Sequence, residues 1–197
     1  IMGDQKFLIA TFYKFTKVSL LSELQTDFYK FLENLSIKGT VLLAEEGING
    51  TVSGSSQSIA KFKNFLFDKD LLSESDFKVS SADFMPFPRL KVKLKKEIVT
   101  IGNCEINPGK KVGEYVDPLD WNQLITDEDV LVLDTRNTYE VSIGSFEGAI
   151  QPETTNFREF PEWADAEGSK LPKDKKIAMF CTGGIRCEKA SSLLKDK

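Results

Sequence analysis

The chain opens on Phe7-Leu8-Ile9-Ala10-Thr11-Phe12-Tyr13, a run of strand formers. Leu20, Leu21, Leu24, Phe28, Phe31, Leu32 and Leu35 then fall on one broad helical stripe, which predicts a helix over 18–35. Gly39-Thr40-Val41-Leu42-Leu43-Ala44 reads as a buried strand. Glu45 to Gly50 is a turn in which Gly47, Asn49 and Gly50 tolerate positive φ, or else a substrate-facing loop, and Thr51-Val52-Ser53 returns, giving a hairpin. Ser55 or Ser58 caps a second helix whose apolar positions are Ile59, Phe62, Phe65 and Leu66. Phe77-Lys78-Val79 and residues 89–101 supply the closing strands.

The order strand, helix, strand, strand, helix, strand is the split βαβ, ferredoxin-like pattern, which acylphosphatases share. Residues 1–105 are therefore expected to form an α+β domain. Ile106-Asn107-Pro108-Gly109-Lys110-Lys111 is polar and turn-rich, so 106–115 is expected to be a linker. Residues 116–197 form the second domain. Asp117-Pro118 opens a short helix near Leu119–Leu124. Val130-Leu131-Val132-Leu133-Asp134 and Lys176-Ile177-Ala178-Met179-Phe180 are short apolar runs of the kind found in parallel strands covered on both faces. Helical stretches between them indicate an α/β layer. The chain stops at Lys197, soon after Cys187, where such a sheet ordinarily continues, so this domain is expected to be cut short at its C-terminal end.

Composition narrows the chemistry. The 197 residues are 41% hydrophobic and 28% charged, enough apolar surface to offset chain entropy and fold. No apolar run approaches the roughly 18 residues of a membrane span, and the N-terminus lacks the order of a secretory signal. With no histidine, Ser-His and Cys-His catalytic pairs and His-ligated metal sites are excluded. No metal site and no cofactor fingerprint is evident. Three cysteines, an odd number, suit free thiols in a reducing compartment, so a cytoplasmic location is expected. The net charge of -4 divides unevenly: residues 1–111 hold 16 basic and 13 acidic residues (+3), and residues 112–197 hold 10 and 17 (-7). Two modules with different partners, or ordinary surface variation, account for that split.

The chemistry concentrates in Cys181-Thr182-Gly183-Gly184-Ile185-Arg186-Cys187, between a buried strand and a helix. Gly183 and Gly184 let the backbone curl with its amides inward, and the following helix aims its positive end into the curl. Thr182, Gly183, Gly184, Ile185 and Arg186 thus form an anion cradle around Cys181, which favours thiolate over thiol. Such a thiolate attacks a sulfane sulfur and carries it as a persulfide without a histidine base. The alternative is a structural cysteine at a strand end. Four residues separate Cys181 from Arg186, one fewer than in cysteine phosphatases of the same architecture, which suits a single sulfur or a small anion.

With Leu133-Asp134-Thr135-Arg136-Asn137-Thr138-Tyr139-Glu140 and Ile143-Gly144-Ser145-Phe146-Glu147-Gly148-Ala149-Ile150 upstream, this loop resembles the rhodanese (sulfurtransferase) domain. The resemblance implies that Asp134 and Arg136 help order the active-site loop; a local ion pair ordering the turn is their structural reading. Many rhodaneses have His where Ser145 stands. Gly39 to Thr51, Phe87-Pro88-Arg89-Leu90-Lys91-Val92-Lys93, Thr155 to Trp163 and Cys181 to Lys189 follow in one order, and together resemble the bacterial family of rhodanese-domain tRNA uridine hydroxylases. That resemblance implies oxygen-dependent conversion of wobble uridine to 5-hydroxyuridine, with O2 as co-substrate, tRNA as partner and a persulfide at Cys181. A sulfur donor is a further implied partner. The alternatives are a thiosulfate-type sulfurtransferase and a non-catalytic anion-binding module.

Arg89, Lys91, Lys93 and Lys95 alternate with Leu90, Val92 and Leu94, which places the cations on one face of a strand. Phosphates of RNA can follow such a ridge, with Lys96, Lys110 and Lys111 extending it and Tyr13, Phe84 and Phe87 offering stacking faces. A solvated strand face that discourages edge pairing is the other reading. The segment from Phe157 to Trp163 is either a lid over the thiol loop or a packed connection. Within it Arg158 either adds positive charge near Cys181 or pairs with Glu159 or Glu162. Cys187 either resolves a Cys181 persulfide or sulfenate as a disulfide or is a small buried helix residue. Cys104 stands near the linker as an incidental thiol.

Overall fold

The computed structural model describes residues 6–102 and 105–197; Cys104 lies outside them. The chain divides into two compact units, residues 1–98 and 99–197.

In the first unit, β1 (Phe7–Phe15), β2 (Lys38–Ala44), β3 (Gly47–Gly54), β4 (Phe77–Ala82) and β5 (Leu90–Leu94) form a sheet in the order β4-β1-β3-β2-β5. The first four strands have the ferredoxin-like order and are antiparallel; β5 adds to the free edge of β2, parallel to it. Helices α1 (Leu21–Asn34) and α2 (Ser56–Asp68) supply Phe28, Leu32, Ile59, Phe62 and Leu66 to a core shared with Ala10, Phe12, Val41, Leu43, Ile48 and Val52 from alternate strand positions. Phe12 and Phe28 both meet the Phe62 ring edge-on, with centroids 5.6 and 6.1 Å apart.

Several boundaries differ from the sequence reading. Leu20 turns left-handed (φ 52°), so α1 starts at Leu21. The hairpin turn is only Glu45-Glu46, because Ala44 pairs with Gly47 and the residues to Gly50 belong to β3. Gly50 is required by space: a Cβ there would lie 2.6 Å from the Phe12 ring and 2.8 Å from the Thr40 carbonyl oxygen. Ser55 caps α2, accepting the Ser58 amide at 3.1 Å. The last strand ends at Leu94 instead of reaching 101. Beyond it, Ile98 is held by side chains, its amide donating to Glu46 at 2.6 Å and its carbonyl accepting from Asn49 at 2.9 Å.

In the second unit, β6 (Val130–Asp134) and β7 (Lys176–Phe180) are parallel, and Ile150 forms a parallel bridge to Leu133 on the other side of β6. Helix α3 (Pro118–Ile125) is capped by Asp117, whose carboxylate accepts the Leu119 amide. The remaining helices are α4 (Thr138–Val141), α5 (Phe160–Ala166) and α6 (Ile185–Lys195). The core joins Leu133, Phe157, Phe160, Ala164, Ala190 and Leu193 to Ile101 and Ile106. The expected linker is therefore partly packed. Ile106 is buried, the Gly113 amide donates to Ser191 at 2.9 Å, and Lys195 donates to the Val112 carbonyl at 2.9 Å. Apolar residues on both sides of 105 pull the unit boundary back to 98/99.

Candidate active site

Register builds the site. Asp134 and Phe180 are the last paired residues of β6 and β7, so the loops leaving both strands start side by side. The carboxyl ends of parallel strands are where α/β sheets bind ligands. Thr135 locks the two loop bases together: its amide and its hydroxyl both donate to the Phe180 carbonyl, at 3.1 and 3.0 Å.

Cys181 follows directly on β7, half-buried. The chain curls back, and the Gly184 amide donates to Cys181 Sγ at 3.0 Å. Gly184 has φ 94°, the left-handed conformation that glycine takes without strain, and it caps α6. A Cβ on Gly183 would meet nothing within 4 Å, so the loop is open beside it. A hydrogen bond from the Cys187 thiol, opposed by burial and supported by the amides of Cys187 and Gly183 and by the Arg186 charge, brings the Cys181 thiol down to about 5. These contacts favour the thiolate over the thiol. The same contact pushes the Cys187 thiol up, so this neighbour keeps its proton.

Arg186 serves two anions. Its guanidinium faces Cys181 and also makes a two-pronged pair with Glu140, at 2.6 and 2.7 Å. Burial disfavours the Arg186 charge; the Glu140 carboxylate and the Cys181 sulfur more than offset it. Hydrogen bonds from Arg186 first, then from Thr182, outweigh burial and bring the Glu140 carboxyl down to about 2. Thr182 thus serves the cradle through its hydroxyl, which donates to Glu140 and accepts from Arg186 at 3.1 Å. Glu140 carries no role in the sequence reading. Its signal is local: Asn137 and Glu140 form a capping box on α4, which fixes the carboxylate at a helix start.

Asp134 is fully buried and takes three side-chain hydrogen bonds. Arg136 donates from Nε at 2.9 Å and Nη2 at 2.7 Å, and Ser145 donates at 2.8 Å. Burial pushes the Asp134 carboxyl up, and the Arg136 and Ser145 bonds more than reverse it, so it stays ionised. Arg136 also donates to the Gly144 carbonyl at 2.6 Å and lies over the Phe180 ring at 5.2 Å. This network braces the turn beside the thiol loop.

The other sequence candidates lie elsewhere. Phe157 and Phe160 are buried core residues with rings 5.5 Å apart, so their segment is a packed connection. Arg158 is exposed, and among the described residues no hydrogen bond or ion pair joins it to Cys181; Glu159 instead accepts from Thr155 and Asn156. Arg89, Lys93 and Lys95 are exposed on or beside β5, whereas Lys91 is half-buried opposite Thr40. They belong to the first unit and Cys181 to the second. Among the described residues, no cluster of three or more Cys, Asp or Glu is placed to hold a metal ion, and no helix is long and apolar enough to cross a membrane.

A cysteine at the end of a parallel strand, curled in a glycine loop and backed by arginine, defines a rhodanese-like domain, and residues 117–197 match the family model of that description. Residues 7–98 match the UPF0176 acylphosphatase like domain. The tRNA uridine(34) hydroxylase of Bartonella quintana is 50% identical over 193 residues, 98% of this chain and 64% of that protein. The protein of that name from Picosynechococcus is 50% identical over 188 residues, 95% of this chain and 63% of its own. That from Agrobacterium fabrum is 47% identical over 197 residues, 100% and 62%. The chain belongs to the family these relatives represent, and it spans less than two thirds of their length.

Proposed function

We propose that this chain belongs to an enzyme that hydroxylates the wobble uridine of tRNA to 5-hydroxyuridine, with O2 as co-substrate and Cys181 as a persulfide-carrying nucleophile. The observation that carries the reading is the near-50% identity, over 95% or more of the chain, to proteins named for uridine-34 hydroxylation. The site supports it chemically. The Cys181 thiolate is held by amide hydrogens and a guanidinium, and the loop leaves open space beside Gly183 for an added sulfur. Backbone groups at Gly183, Gly184 and Cys187 stabilise the anion, and Arg186 balances its charge. Asp134 and Arg136 are positioning residues that hold the neighbouring turn. Arg89, Lys93 and Lys95 supply exposed cations for RNA phosphates, and Lys91 adds to them at the strand edge. Arg158 is a cation at the surface of the second unit. The compartment implied is the cytoplasm, where tRNA is modified.

The test is mass analysis of tRNA nucleosides from cells lacking the protein, complemented with wild type or with Cys181→Ser. Restoration of 5-hydroxyuridine by wild type alone is expected. Normal 5-hydroxyuridine in the uncomplemented cells, with thiosulfate turnover by the purified protein, would instead make it a sulfurtransferase. Normal 5-hydroxyuridine in the uncomplemented cells with no thiosulfate turnover by the purified protein would leave an anion-binding module.

A further inference from the structure

The geometry points to a second chemical role in the loop: Cys187 discharges sulfur carried on Cys181, releasing it as sulfide and leaving a Cys181–Cys187 disulfide. This rests on the reading of Cys181 as a persulfide carrier.

Cys187 is the third residue of α6 and is only half-buried. It is not part of the hydrophobic cluster that α6 builds with Ala190 and Leu193. Its thiol is turned instead to the loop, where it hydrogen-bonds Cys181. Its other partner is Thr135 Oγ1, at 3.6 Å. The Thr135 hydroxyl also hydrogen-bonds the Phe180 carbonyl at 3.0 Å, which fixes it beside the sulfur. Thr135 is itself buried and fixed by its amide bond to Phe180. Cys187 is thereby held against Cys181 by a rigid neighbour. A structural cysteine packed for its volume has no need of either polar contact.

The step balances without an outside oxidant. In the persulfide, the negative charge sits on the outer sulfur, and the cradle amides hold the inner one. The Cys187 proton passes to the outer sulfur while the Cys187 sulfur bonds to Cys181 Sγ. The bond between Cys181 Sγ and the outer sulfur breaks, its electron pair leaving with the outer sulfur, and hydrosulfide departs past Gly183, where the loop is open. The Cys187 sulfur is oxidised by one level and the departing sulfur reduced by one, so one persulfide anion and one thiol give one disulfide and one hydrosulfide. A low-molecular-weight thiol or dithiol then restores both cysteines.

The experiment loads the full chain with inorganic polysulfide, removes the excess, and follows released sulfide and the mass of peptides spanning 181–187. In wild type, a peptide one sulfur heavier should give way to a linked Cys181–Cys187 form, with one equivalent of sulfide released. In Cys187→Ser and Cys187→Ala, the added sulfur should stay on Cys181, with release slowed about tenfold or more. Two substitutions are used so that a folding defect in one leaves the other to decide, with circular dichroism as the check. Wild type holding its sulfur as long as the variants, or a disulfide that uses Cys104 instead, would overturn the inference while leaving the persulfide reading intact. Failure of Cys181 to take up sulfur in any form would overturn that reading, and this inference with it.

Discussion

The Glu140 carboxylate engages both terminal nitrogens of Arg186, at 2.6 and 2.7 Å, while the same guanidinium faces the Cys181 sulfur. The loop's one arginine is thus fixed in direction by an acid from a different helix. Both side chains of the pair are about 13–14% exposed, so the pair is neither a surface ion pair nor a dry one.

Glu140→Gln removes the charge and keeps the shape. We expect a loss of about 1.5–3 kcal/mol, the range for hydrogen bonds to charged groups, read from urea unfolding at pH 7. The sign with pH follows from linkage. The Glu140 carboxyl titrates near 2 in the folded chain against 4.5 ordinarily, so its contribution is present above 4.5 and is lost as pH falls toward 2. The stability gap between wild type and Glu140→Gln should therefore narrow over that window. A gap independent of pH would show that shape, not charge, is what Glu140 supplies.

The Cys181 thiolate should be visible in alkylation rates. Iodoacetamide labelling of Cys181, resolved by peptide mapping, should have its midpoint near pH 5. Cys187→Ala removes the largest single contribution to that shift and should move the midpoint upward; Arg186→Met should move it in the same direction. A midpoint in the ordinary thiol range for wild type would remove the activated sulfur from the account.

Gly50→Ala tests the close approach of β1 and β3. The added methyl would enter the Phe12 ring at 2.6 Å and crowd the Thr40 carbonyl oxygen at 2.8 Å. Overpacking of this kind costs about 1–3 kcal/mol, measurable as a lower urea midpoint. An unchanged midpoint would show that Phe12 moves aside freely.

Charge reversal on β5 tests the RNA ridge. Arg89→Glu with Lys93→Glu should weaken retention of tRNA at low salt, and the slope of log affinity against log salt should flatten by about 0.7–0.9 for each phosphate no longer neutralised. Retention and slope equal to wild type would exclude this strand edge from RNA binding.

Periodicity in the sequence determined most of the first unit: alternate strand residues and helical stripes mark one core, and Phe12, Phe28, Leu32 and Phe62 all lie in it. It did not determine where the last strand stops. That depends on Glu46 and Asn49 capturing the backbone of Ile98, two long-range bonds that no local pattern reports. The same holds for the segment after 98: its polar, turn-rich composition reads as a linker, yet Ile101 and Ile106 are committed to the second core.

At the site, the run from Cys181 to Arg186 announces a glycine curl by itself, because glycines placed between a strand and a helix have little other use. The chemistry around it is a matter of tertiary structure. Only the pairing of Asp134 with Phe180 brings Thr135 under the loop, and only the cap of α4 brings Glu140 to Arg186. The sequence by itself determined which sulfur stands at the strand end. The fold decided which hydroxyl backs the neighbouring thiol and which carboxylate holds the arginine. Thr135 lies 52 residues from Cys187 and Glu140 lies 46 from Arg186, so each pair meets only when two parallel strands join in register.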